Sequence, residues 1–408
     1  MRPLSEAPYL DLFDPEFIAN PEPKVADLRR QASVFRTPLG ASVVDRDKVH
    51  ELLRDRSLHA SLLHLIRLQG VNDGPIYDMA ASSLLGLEGD DHTRIRRLVS
   101  RSFTPRAADG HRQFMRELVS EQVATFADSG RCEFMNDFAD RYPVQVIAHL
   151  MGVPREDHPL FARWGDSLTH LLSIELFQFR AEVEKAQSEM AAYLTELVAD
   201  RRRSPRDDLV SELIAARDGS DRLNDTELMS LLGGLLFAGY DTTRNQLAVA
   251  MTIFSEHSTD WAALAEHPEL AAQAVDEVMR VAGVVSVVPR ITTTETEVDG
   301  WAIPAGTMVS LSLIGANHDP KVYEDPNTFD LHADRSEPHV GFGGGPHHCL
   351  GANLARAEMQ EALPLLAAAM PEMRVAEPPE WRSPFGGIAG PIKLLLEFTP
   401  AKRSAATA

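Results

Sequence analysis

The stretch Phe342-Gly343-Gly344-Gly345-Pro346-His347-His348-Cys349-Leu350-Gly351 decides how this chain is read. A glycine-rich loop delivers one cysteine, and an apolar helical pattern (Leu350, Ala352, Leu354, Ala355) starts immediately after it. A cysteine at the start of a helix feels the positive end of the helix dipole, which favours its thiolate. Glycines without side chains let a flat ligand and backbone N–H groups come close to the sulfur. Hydrogen bonds to such a sulfur tune whatever metal lies behind it.

These features suit a cysteine that serves as the single protein ligand of a haem iron. A zinc site is the competing reading of His347, His348 and Cys349. Zinc wants about four ligands at familiar spacings, and no second Cys or His pair sits nearby. A lone structural loop cysteine is the third.

The whole chain narrows the field. Its 408 residues contain no Pro/Ser/Gly-rich linker, low-complexity tract or internal repeat, so one domain spanning 1–408 is expected. Hydrophobic residues make up 44%, enough for a large core. Two cysteines, Cys132 and Cys349, argue against a disulfide framework and fit a reducing cytoplasm. The N-terminal stretch to Pro23 has no long apolar run, so no signal peptide or membrane anchor is expected. A net charge of −20 disfavours nucleic acid or an anionic membrane as partner.

Helical patterns dominate: 46–55, 92–103, 114–126, 143–151, 182–202 and 209–217. A short strand is expected at 40–44, and a small sheet within 284–309, where Asp299-Gly300 and Pro304-Ala305-Gly306 mark turns. Residues 58–89 read as an irregular, unusually apolar loop that either packs as core or lines a greasy pocket. Pro364 is expected to kink or end the helix that follows the cysteine.

His92 and Arg96 lie four apart on one helical face, a donor pair suited to carboxylates. Asn224 and Glu227 form a helix-start signature. The helix they open is apolar on all sides, hence buried, until Ala238-Gly239-Tyr240-Asp241-Thr242-Thr243. There a glycine weakens the helix and threonine hydroxyls compete for backbone carbonyls, which is expected to open a turn and admit water. Asp241 and Thr242 are the candidate proton path. Glu277 and Arg280 stand one turn apart on a later helix.

Taken together, Phe342, Gly345, His347, Cys349 and Gly351 resemble the haem loop of cytochrome P450 monooxygenases. The resemblance covers the chain roughly from His92 onward, with four motifs in order. It implies a mainly α, minor β-sheet, single-domain P450 fold with haem b held by Cys349. His92, Arg96 and Arg290 would contact the haem propionates, and Phe342, His347 and Gly351 would belong to the cofactor loop. Asp241 and Thr242 fall on the family's oxygen-activating pair. Glu277 and Arg280 fall on its structural ion pair, whose third member is an Arg four after a Phe-Asp phenylalanine. That position is Ala333 here, leaving His332 and Arg335 as candidates.

The implied reaction inserts one oxygen atom of O2 into a hydrophobic small molecule. No G-x-G-x-x-G fingerprint or four-cysteine set occurs in the chain. Electrons are therefore expected from a ferredoxin and its NAD(P)H-dependent reductase, docking near Arg97, Arg101 and Arg356. Leu62, Leu85, Leu235, Ala238, Val285, Val288, Phe385 and Ile388 are the expected pocket lining. A peroxide-driven peroxygenase of the same fold and a non-catalytic haem sensor are the alternatives.

Overall fold

A computed structural model describes residues 1–19, 21–218, 221–383 and 387–400. The principal helices are α1 (Pro21–Gln31), α2 (Arg46–Leu52), α3 (Leu62–Leu68), α4 (Pro75–Ser82), α5 (Gly89–Val99), α6 (Arg112–Val123), α7 (Tyr142–Leu150), α8 (His158–Leu168), α9 (Leu176–Arg203), α10 (Leu209–Ala215), α11 (Asp225–Glu256), α12 (Ser258–Glu266), α13 (Ala271–Val281) and α14 (Ala352–Ala369). Strands β1 (Val34–Thr37), β2 (Gly40–Val43), β3 (Leu58–Ala60), β4 (Val287–Thr292) and β5 (Met308–Ser312) form one mixed sheet in the order β1-β2-β5-β4-β3. A hairpin of β6 (Glu380–Trp381) and β7 (Pro391–Lys393) lies apart from it.

The fold is built around α11. Its start is capped as expected: Asn224 accepts from the Glu227 N–H and the Glu227 side chain accepts from the Asn224 N–H, both at 2.9 Å. Leu232, Leu236, Tyr240, Leu247 and Phe254 are all fully buried in the main core. A 32-residue helix with that much buried apolar surface is held by packing rather than by intrinsic propensity.

Two expectations need correction and a third is narrowed. Residues 58–89 are not an irregular loop: they form β3, α3 and α4. α3 and α4 have only 7 and 8 residues, too short to stand alone. Packing of Ile66, Ile76 and Ala80 on the main core supplies what local propensity lacks. α11 is unbroken through Gly239 and Asp241, because Tyr240, Asp241 and Thr243 are buried against the protein and hold this turn closed even though Ala238, Gly239 and Thr242 are accessible. α14 does not end at Pro364 but runs on to Ala369, with Leu363, Pro364 and Leu366 buried, so packing outweighs the lost N–H. Among the described residues no helix is long and apolar enough to cross a membrane.

Candidate active site

The cysteine loop is shaped from both ends. The Cys349 N–H donates to the Phe342 carbonyl at 3.0 Å, closing the loop on itself. Gly345 has φ +64°, and a Cβ there would collide with the Leu53 carbonyl just beyond α2, so this position requires glycine. Gly351 caps α14 and its N–H points at the Cys349 sulfur. The sulfur is accessible on one side and enclosed by protein on the others. Burial pushes the thiol pKa up, while the Gly351 N–H and the Arg96 and Arg356 charges pull it down. Arg356 sits 4.5 Å over the Phe342 ring and pairs with Asp276 of α13 at 2.9 Å.

A group of hydrogen-bond donors, His92, Arg96, Arg290 and His347, gathers nearby. His92 is buried and its Nε2 has no hydrogen-bond partner. Burial, then the His347 and Arg96 charges, push its pKa down to about 4. The His92 and His347 rings are 4.3 Å apart. Arg96 donates to the His348 carbonyl. Arg290 is buried on β4, paired in register with Ala60 and Val309 on its two flanks, and it donates to its own Pro289 carbonyl. His347 faces Glu88 at 3.1 Å, and Glu88 also accepts from the Ala60 N–H. Glu88 escaped the sequence reading. Its position before Gly89 at the start of α5 is the only local signal, and its partner lies 259 residues away.

On α11 the accessible positions Gly234, Ala238 and Thr242 recur every four residues, with Gly239 beside them also partly accessible and the other residues from Leu231 to Thr243 buried. The Thr242 hydroxyl donates to the Ala238 carbonyl at 2.9 Å, the competition expected from the sequence, without interrupting the helix. Asp241 is 1% exposed. Its carboxylate accepts from Arg244 Nε at 3.1 Å, Asn245 Nδ2 at 2.9 Å and Arg382 Nη1 at 2.8 Å. Burial still raises its pKa above the usual range, against the pull of Arg244. Arg244 also reaches Asp140 at 2.9 Å, Asp166 at 2.7 Å and the Tyr240 hydroxyl at 2.6 Å. Burial pushes the Asp140 carboxyl up to about 6.

The expected lining residues divide. Leu62, Val285 and Val288 are half-buried and Leu235 is buried. Ile388 packs against Val249 and Val284. Gln246 on α11 holds the adjoining segment, accepting from the Val284 N–H and donating to the Ala282 carbonyl, both at 3.0 Å. Leu85 is 43% exposed. Phe385 lies outside the described residues.

The ion pair on α13 is buried and complete. Glu277 accepts from Arg280 at 2.7 and 2.8 Å and from Arg335 at 3.0 Å. Arg335 therefore occupies the third place that Ala333 leaves open. His332 turns instead to Asp260 at 3.7 Å.

A model of the family described as cytochrome P450 matches residues 252–367. Luteothin monooxygenase of Streptomyces thioluteus is 36% identical over 97% of this chain and 97% of its own length. The chain belongs to the cytochrome P450 family. The mycinamicin IV hydroxylase/epoxidase of Micromonospora griseorubida is 37% identical over 74% of this P450 and 75% of its own length. A solved cytochrome P450 from Chondromyces apiculatus superposes with TM-score 0.87 at 30% identity, covering 96% of this chain and 98% of its own. This P450 is thus a haem-thiolate monooxygenase of small organic substrates, dependent on redox partners as bacterial P450s generally are.

The donor set fits haem. An orphaned His92 nitrogen, a buried Arg290 guanidinium with no described carboxylate partner and an accessible sulfur under a helix N–H are the complement of a flat ligand with a metal centre and two carboxylates.

Proposed function

We propose that this P450 binds haem b through Cys349 and oxygenates a hydrophobic small molecule, by hydroxylation or epoxidation. The observation that carries the reading is the Cys349 sulfur, accessible on one side and held by the Gly351 N–H. When bound, haem supplies oxygen activation and transfer. His92, Arg96 and Arg290 hold its propionates, with His347 oriented beside them by Glu88. Phe342 supports the loop through its carbonyl. Asp241 and the Thr242 hydroxyl hold the protons that oxygen cleavage consumes, Thr242 on the accessible face of α11 and Asp241 behind it. Leu62, Leu235, Ala238, Val285, Val288 and Ile388 exclude water and orient an apolar substrate, with Leu85 at the rim.

Electrons come from a ferredoxin and its NAD(P)H-dependent reductase, met at Arg97 and Arg101, both exposed on the α5 side of the molecule. The working location is the cytoplasm. Asp241 and Thr242 favour this reading over a peroxide-driven one, which needs no proton relay.

The test is the carbon monoxide difference spectrum of the reduced protein. A thiolate-type band that Cys349→Ala abolishes is expected. An imidazole-type band, or a band unchanged by the substitution, overturns the assignment. Faster turnover with peroxide alone than with electron donors would favour the peroxygenase.

A further inference from the structure

The buried Asp241 carboxylate is tied to a segment 141 residues further along the chain. Arg382 follows β6 directly, and its Nη1 lies 2.8 Å from Asp241 Oδ1 and 2.9 Å from Oδ2. The Arg382 N–H donates to the Gly390 carbonyl at 3.0 Å, just before β7. A Cβ on Gly390 would collide with the Asn245 side chain, so the hairpin rests directly on α11. Just ahead of it, the Ala389 N–H donates to Val284 at 3.0 Å and Ile388 packs on Val249 and Val284. One short hairpin thus carries both an apolar residue packed on Val249 of α11 and an ion-pair partner of the acid. Arg244 differs: it divides its charge among Asp241, Asp140, Asp166 and the Tyr240 hydroxyl.

We propose that Arg382 is a positioning residue for proton delivery, coupling the seating of the β6–β7 hairpin on α11 to the protonation of Asp241. The catalytic half of this rests on the role assigned to Asp241 above; the physical coupling does not. With Arg382 docked, two guanidinium groups and the Asn245 amide oppose the burial that favours the neutral acid. His170, in the segment after α8, pulls in the same direction when protonated, while Asp140 and Asp166 act in the opposite sense from beyond Arg244. An opposite charge at this distance lowers a carboxyl pKa by about 1–3 units. Withdrawing Arg382, which contacts both carboxylate oxygens, therefore removes a charge that favours the ionised form and readies Asp241 to take a proton.

The test uses the full-length holoenzyme. An infrared difference titration follows the Asp241 carboxyl band, assigned by Asp241→Asn. Trp381, 51% exposed and adjacent to Arg382, is labelled as 5-fluorotryptophan and assigned by Trp381→Phe. Arg382→Gln is expected to raise the carboxyl midpoint by at least one pH unit, and Arg382→Lys to return it towards wild type. The Trp381 fluorine signal should titrate with the carboxyl band in wild type and lose that step in Asp241→Asn. A midpoint unmoved by Arg382→Gln, or a Trp381 signal blind to the Asp241 titration, overturns the coupling. Oxygen consumption driven by a plant-type ferredoxin and its reductase isolates the other half. Unchanged rate and solvent isotope effect in Asp241→Asn would overturn the role in proton delivery and the reading it rests on.

Discussion

Replacing Glu277 by alanine leaves Arg280 as an uncompensated cation in the core. Arg280 is 3% exposed and its Nη atoms also hold the carbonyls of Asn317, Pro326 and Thr328 at 3.1, 2.6 and 2.9 Å. Those carbonyls cannot neutralise the charge, and breaking one partner out of a buried pair costs about 3–5 kcal/mol. Natural proteins are stable by roughly 5–15 kcal/mol, so this one change removes a large share. Arg335, at 19% side-chain exposure and with one hydrogen bond to Glu277, is expected to cost about 1 kcal/mol as Arg335→Ala once solvent screening is allowed for. His332→Ala should cost nothing measurable, since His332 is exposed and faces Asp260.

The assay is urea unfolding followed in parallel by far-UV circular dichroism and haem absorption. The pH dependence adds a check. Burial opposes ionisation of Glu277, but the Arg280 and Arg335 hydrogen bonds outweigh it and hold its carboxyl below the usual range. Its contribution is therefore present above the unfolded carboxylate pKa and is lost as pH falls through the folded one. The gap between wild type and Glu277→Ala should shrink on acidification below about pH 4.5. A cost under about 1 kcal/mol for Glu277→Ala would refute the reasoning, because a buried unpaired charge cannot be so cheap. So would equal effects of Arg335→Ala and His332→Ala.

Glu358 on α14 is fully buried, its Oε2 has no partner, and burial lifts its pKa well above the usual value. The folded state keeps a proton that the unfolded chain loses, so stability should fall as pH rises from about 4.5, by up to about 1.4 kcal/mol per unit. Glu358→Met should flatten that slope in thermal melts, and an unchanged slope would count against it. His92→Ala, Arg96→Ala and Arg290→Ala should each speed haem transfer to apomyoglobin by about 10- to 100-fold, the worth of one charge-assisted hydrogen bond. Gly345→Ala forces a side chain into positive φ and against the Leu53 carbonyl. It should lower stability by about 2 kcal/mol or more and reduce haem content, read from the melting temperature and the haem-to-protein absorbance ratio.

What the sequence determined by itself is local. The Asn224–Glu227 capping box joins residues three apart, the His92/Arg96 face residues four apart, and the Gly345–Cys349 loop sits in a single run; short range makes each legible from spacing alone. Burial of α11 was equally legible, because it is apolar on every side. Only the tertiary structure decided which charges meet. Glu88 and His347, Asp241 and Arg382, and Glu277 and Arg335 are 259, 141 and 58 residues apart. Periodicity says which face a charge occupies and nothing about what is folded against that face. The same reason explains α3 and α4: helices of two turns exist where a core surface receives them, and that surface is made by residues elsewhere in the chain.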